Sequence, residues 1–271
     1  MRRLCAATTA CLLIAALFAR AAGSAEDVPA LEARLKAATA AVEANPKDPD
    51  VYRLRAAVHS ARDDHDSAIA DLDRALALAP DSAGLYDERG SQHFMAGHIE
   101  DSVRDFDRAI ALRPELEKGH WKRGISYYYA VRYDEGRRQF EGYQQVDDND
   151  VENAVWRFLC MARGDSLQAA RQAILPIRQD RRVPMMTVYD LFRGTAKVSD
   201  VFAACQAGSP SPDQLNQRLF YAHLYVGLYQ EAAGDAQAAR ENLTAAVKHR
   251  IAHYMWDVAR VHAARLKAPA R

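Results

Sequence analysis

Apolar and small residues recur along this chain at helical spacing, and the pattern repeats with a period of 34 residues. Tyr52 and Tyr86, Ala75 and Ala109, and Pro80 and Pro114 each stand one period apart. So do Ala56, Gly90 and Gly124, Ala68, Ser102 and Gly136, and Leu72, Phe106 and Phe140. The periods share a small residue at position 8 and another at 20 and an aromatic residue or Leu at 24, and the first two add Ala at 27 and Pro at 32. The small residues let two helices approach closely, and the large one fills the space beside them. Proline ends the second helix, because it lacks an N–H and biases its predecessor away from helical geometry. The pattern predicts helix hairpins with no strand, an all-α chain.

In this register three repeats run over 49–82, 83–116 and 117–150. The half repeat 26–48 places Ala41 and Pro46 one period before Ala75 and Pro80, which predicts an N-terminal capping helix. The third repeat departs at its end, with Tyr143 and Asp148 where Ala and Pro are expected. The register returns over 220–253, where Gly227, Ala239, Leu243 and Ala246 take positions 8, 20, 24 and 27; a capping helix completes the region 220–271. Between them, 151–219 is helical in pattern without the signature, a degenerate region of two helix pairs, with "GSPSPDQ" reading as a loop.

These positions resemble those of the tetratricopeptide repeat. A lone hairpin cannot bury a core, so the resemblance implies a superhelix of stacked antiparallel hairpins with a concave face. It also implies a protein or peptide partner, held by positions 2, 5, 9 and 12 of each first helix. The candidate groove residues are Arg53, Asp87, Ser91, Phe94, Lys118, Trp121, Ile125 and Tyr128. Phe94, Trp121 and Tyr128 are the expected rigid anchors, with Arg53, Asp87 and Lys118 setting register. Some repeats of this family grip a C-terminal carboxylate with Lys and Asn side chains. Lys118, Lys122 and Arg53 match the basic positions, but Ala57 and Glu88 stand where the asparagines belong, so that ligand is not expected.

The last hundred or so residues resemble the C-terminal half of the NlpI-type bacterial envelope lipoproteins. That resemblance implies a homodimeric adaptor bringing proteases and peptidoglycan hydrolases together. The alternative is a dimeric structural scaffold without a groove ligand, whose C-terminal helix "YMWDVARVHAARL" buries Met255, Trp256 and Val261 in a second copy.

The N-terminus changes the expected location. "MRRLCAATTACLLIAALFARAAGSAED" has the order of a cleaved secretory signal peptide over 1–25, which predicts export to the periplasm or cell envelope. Cys11 lies inside the apolar run, so no lipid anchor is expected. The whole chain balances 36 basic against 36 acidic side chains, and Arg2, Arg3 and Arg20 precede the first acid, Glu26. The chain beyond the signal is thus weakly acidic, which argues against a nucleic-acid partner. Cys160 and Cys205 remain after processing and read as free, buried thiols.

No nucleophile elbow, phosphate loop, dinucleotide fingerprint or paired "CxxC" is present, so neither an enzyme nor a cofactor is expected. His59 and His93 fall at position 11, where a packed side chain is expected, and His98 in the turn that follows. Asp105 and Asp107, flanked by Arg104 and Arg108, read as a solvated helix face. The reading from another class is a metal-dependent hydrolase using His249 and His253, which are spaced as on one helix face. No Glu follows the first of them, and the helix is expected to break there, so no metal site is assigned.

Overall fold

The computed structural model describes residues 28–267. The signal-peptide expectation, on residues 1–25, lies outside them. The described residues form fourteen α-helices and no strand. A first helix, α1 (Val28–Ala44), is followed by hairpins α2 (Pro49–Ala61) with α3 (His65–Leu78), α4 (Ala83–Ala96) with α5 (Ile99–Leu112), and α6 (Trp121–Tyr129) with α7 (Tyr133–Tyr143). Next come α8 (Val151–Gly164) with the short α9 (Leu167–Gln172), then α10 (Met185–Arg193) with α11 (Val198–Cys205). The long α12 (Pro212–Ala232) pairs with α13 (Ala236–Lys248), and α14 (Tyr254–Lys267) closes the chain.

Local chemistry sets the helix ends. The carboxylates of Asp64 and Asp235 accept from the N–H groups of Ser67 and Ala238, starting α3 and α13. Gly97, at φ 86°, takes the left-handed conformation that turns α4 into α5. Ser211 and Gln214 form a reciprocal capping box behind Pro212. Consequently α12 begins inside "GSPSPDQ", and the loop expectation is corrected there.

The packing within hairpins follows the 34-residue code. A Cβ on Gly90 would lie 2.9 Å from the Phe106 ring, one on Gly124 2.7 Å from Phe140 Cζ, and one on Gly227 2.6 Å from Leu243 Cγ. Glycine is required because the facing side chain already occupies that volume. In the first repeat Ala56 faces the same spacing with the smaller Leu72, and both are buried.

A second, polar code runs beside it. Arg55 donates to Asp71, Arg89 to both Asp105 and Asp73, and Arg123 to both Gln139 and Asp107. Arg157 continues the series, donating to Glu141 and to the Ala173 carbonyl. Each of the last three arginines ties the second helix of its own repeat to that of the preceding one. The solvated-face reading of Asp105 and Asp107 is therefore corrected: Asp105 is buried against Arg89, and Asp107 belongs to the rung of Arg123.

The chain then folds back on itself. α14 packs against α13 and against α4, far upstream in sequence. Arg260 donates to the Met95 carbonyl at 2.7 Å and stands 3.0 Å from His65 Nε2. Arg250, just before α14, reaches Asp63 at 3.2 Å, and Arg265 donates to the Tyr129 carbonyl at 2.9 Å. Met255, Trp256 and Val261 are buried within this one chain. That corrects the mode of dimerisation in which they bury themselves in a second copy.

Candidate functional site

Covering by α14 decides which groove candidates remain reachable. Phe94 and Ile125 are 0% and 1% exposed, and Tyr128 is buried against Tyr129 and Trp156. Phe94 packs between Tyr129 and Tyr254, at centroid distances of 5.3 and 5.5 Å. The expectation that Phe94 and Tyr128 are groove anchors is corrected, because both are core side chains. Ser91 is also buried; it donates to the Asp87 carbonyl and accepts from Lys122 Nζ. Arg53 lies on the surface in an ion pair with Glu88 at 2.7 Å, and Lys118 donates to Gln145. These pairings use up the basic positions that a carboxylate ligand would need.

Trp121 stays half-buried, and with Ile125 it borders a cavity of about 190 Å³ between α6, α7, α8 and the segment entering α14. The other walls are Phe140 and Tyr143 of α7, Asn153 and Trp156 of α8, and His253 and Met255. Asp150, Glu152 and Arg182 line it as well. His253 stacks on Trp121 with ring planes 9° apart. Burial, then the charge of Arg182, pushes the His253 imidazole below its ordinary pKa, so it is neutral in neutral solution. Burial likewise pushes the Glu152 carboxyl up, opposed by Arg182. Its Oε1 accepts from the Tyr225 hydroxyl.

The structure brings Trp121 and Ile125 together with Asn153, Trp156, Arg182 and His253, none of which the sequence reading had singled out for this site. Asn153 and Trp156 sit in the region without the repeat signature, and Arg182 in a segment between helices. The one available signal was Arg157, which lies 34 residues beyond Arg123 and extends the register into α8.

His249 and His253 do not share a helix face: His249 caps the end of α13, and His253 precedes α14. His249 Nδ1 lies 3.0 Å from Asn216 Oδ1. Elsewhere Asp63, His65 and Asp257 bring ligand-type atoms within 4.8 Å of one another. Arg250 already holds Asp63, and Arg260 holds His65 and Asp257, so this cluster is an ion-paired clamp between the ends of the fold. Cys160 and Cys205 are free, buried thiols, and burial pushes both upward in pKa. No helix among the described residues is long and apolar enough to cross a membrane.

The clamp on α14 is sensitive to acid. The Tyr129 hydroxyl lies 2.8 Å from His262 Nδ1, and His262 Nε2 lies 3.0 Å from Glu231. Burial pushes the Glu231 carboxyl up, but the hydrogen bond and charge of His262, with Arg163 and Arg265, hold it below its ordinary value of 4.5. Asp87 behaves alike: burial is outweighed by His120 and Lys122, and it falls below 3.8. A carboxyl depressed in the folded state stabilises fully above its unfolded pKa and loses that contribution as pH falls through the folded one. Histidines held below their ordinary pKa, His253 among them, take up protons on unfolding, so the urea midpoint is expected to start falling below about pH 6.5 and to drop further below about pH 4 as these carboxylates protonate. In Glu231→Gln the drop should be shallower; an unchanged acid limb would show that this carboxylate does not supply it.

Stacked antiparallel helix hairpins in a 34-residue register define the class: the fold is a tetratricopeptide-repeat superhelix. The family model described as "Tetratricopeptide repeat" matches residues 54–120, and the chain carries such repeats. A tetratricopeptide repeat protein from Parabacteroides merdae has the same fold, with a TM-score of 0.53 and 14% identity over 84% of this chain and 90% of its own. YrrB, described as a TPR protein with an unusual peptide-binding site, is 18% identical over 85% of this chain and 99% of its own, with a TM-score of 0.44. No curated protein matches the sequence. The fold is that of scaffolds for protein–protein interaction.

Proposed function

We propose that this protein is an exported adaptor of the bacterial cell envelope that works by positioning protein partners, without chemistry of its own. The observation that carries the reading is the cavity beside Trp121: next to the part of the face that α14 covers, it brings aromatic walls and polar groups together. Export rests on the order of residues 1–25. The finer role, recruitment of proteases or peptidoglycan hydrolases, rests on the resemblance of the C-terminal region to the NlpI-type lipoproteins.

Affinity purification from native envelope extract, read by mass spectrometry, tests the adaptor. Wild-type protein is expected to recover specific partners, and Trp121→Ala to recover at least about fivefold less of them, as for loss of an aromatic anchor worth about 1 kcal/mol or more. Recovery of nothing above control by the wild type would sink the reading.

A further inference from the structure

Three carboxylates meet one cation at the edge of the cavity. Arg182 Nη2 lies 2.6 Å from Asp150 and 2.5 Å from Asp180, and Arg182 Nη1 lies 2.5 Å from Glu152. Asp147 adds a further negative charge close enough to act on Tyr143. One guanidinium cannot balance this set; burial, and to a lesser degree the charge of Asp150, push the Glu152 carboxyl up against the pull of Arg182. The neighbouring walls are aromatic: Trp121, Phe140, Tyr143 and Trp156 present π-systems, which attract cations at close range.

Two side chains of its wall also carry unmet hydrogen-bonding capacity. Asn153 and Trp156 are only 3% and 2% exposed, and both line it. Asn153 Nδ2 is used by the Phe140 carbonyl and by Gln144, whereas Asn153 Oδ1 and Trp156 Nε1 have no partner among the described residues. An unpaired acceptor and an unpaired donor on neighbouring turns of one helix match the N–H and C=O of a peptide group. Such buried groups are costly to leave unmade. At about 190 Å³ the space exceeds what a few waters need and falls short of a drug-sized pocket, which suits one long side chain.

We propose that this cavity binds a lysine or arginine side chain of an extended peptide segment, its cation meeting Asp150 and Glu152 between the aromatic walls. Asn153 and Trp156 take up the adjoining peptide group after small side-chain adjustments. An acidic side chain is excluded, because Arg182 is already surrounded by carboxylates that would repel it. The inference deepens the adaptor reading and rests on it, since it names the chemistry of the segment the scaffold holds.

Intrinsic tryptophan fluorescence reads the site directly, because two of the three tryptophans, Trp121 and Trp156, line the cavity. The probes are capped pentapeptides of alanine with Arg, Glu or Leu at the centre. The Arg peptide is expected to bind at least about tenfold tighter than the Glu peptide, with the preference shrinking between about 0.05 and 1 M salt. Asp150→Asn keeps an N-capping side chain on α8 and should weaken the Arg peptide by about tenfold. Trp121→Ala is a second variant that leaves the ion cluster intact and should weaken it as well. Equal binding of the three peptides, or tighter binding of the Glu peptide, overturns the inference. The envelope purification separates the two failures. If Asp150→Asn captures the same partners as the wild type, this site is refuted and the adaptor stands; if the Arg peptide binds selectively but no partner is captured, the adaptor reading fails and the site stands.

Discussion

Phe94→Ala is expected to cost about 3–5 kcal/mol of stability, the range for emptying a fully buried aromatic site. In an open superhelix this position faces solvent, and truncation there would weaken ligand binding while leaving the fold nearly untouched. Here α14 lies over it: the ring is 0% exposed, edge-on to Tyr129 and against Tyr254. Removing it leaves a cavity at the seam between α4, α6 and α14, and neither neighbouring helix can collapse into it without breaking the Tyr129–His262 and Arg260–Met95 contacts. Urea unfolding followed by far-ultraviolet circular dichroism measures the loss. A stable variant that captures partners poorly would instead return Phe94 to the ligand-binding face.

Gly124→Leu is expected to be destabilising by about 3 kcal/mol, through overpacking. The first carbon of any side chain at 124 would already stand 2.7 Å from Phe140 Cζ and 3.0 Å from Gln139 Cγ. Phe140 is 1% exposed, so its ring can give way only toward the cavity it borders. The first repeat shows the compensated arrangement, Ala56 opposite Leu72 at the same spacing, with both side chains buried. The double variant Gly124→Ala with Phe140→Leu should therefore recover much of the stability lost by Gly124→Ala alone. Chemical-denaturation midpoints of the two single variants and the double form a mutant cycle. Strict additivity would show that positions 8 and 24 do not share one packing volume.

Much of the fold was legible because its code is local. Gly90 with Phe106, Gly124 with Phe140 and Gly227 with Leu243 are each sixteen residues apart, so contacts that matter for a hairpin lie within one repeat. The arginine ladder keeps the same 34-residue step, Arg55, Arg89, Arg123 and Arg157, but charged side chains on a helix also fit a solvated face, and Asp105 and Asp107 read as one. Its last member carries the register into a region where the apolar signature has faded, since one hydrogen-bonding side chain can keep a position after its packing neighbours have changed. The site was less legible. Trp121 and Ile125 lie at groove positions, but Arg182 and His253 belong to segments between helices, where no period constrains side chains and none reveals them.

Residue order alone specified the hairpins, their register, the small-against-large pairing and the resemblance to tetratricopeptide repeats, because each depends on neighbours one or two helices away. Tertiary structure alone decided which face is open. Small rotations between successive hairpins accumulate along the chain. They bring α14 back across α4 and α6, so that Arg260 meets His65 at a separation of 195 residues. That sum turned Phe94 from a surface anchor into core, while α8 buried Tyr128 through Trp156, and it left the cavity beside Trp121, a result no local pattern contains.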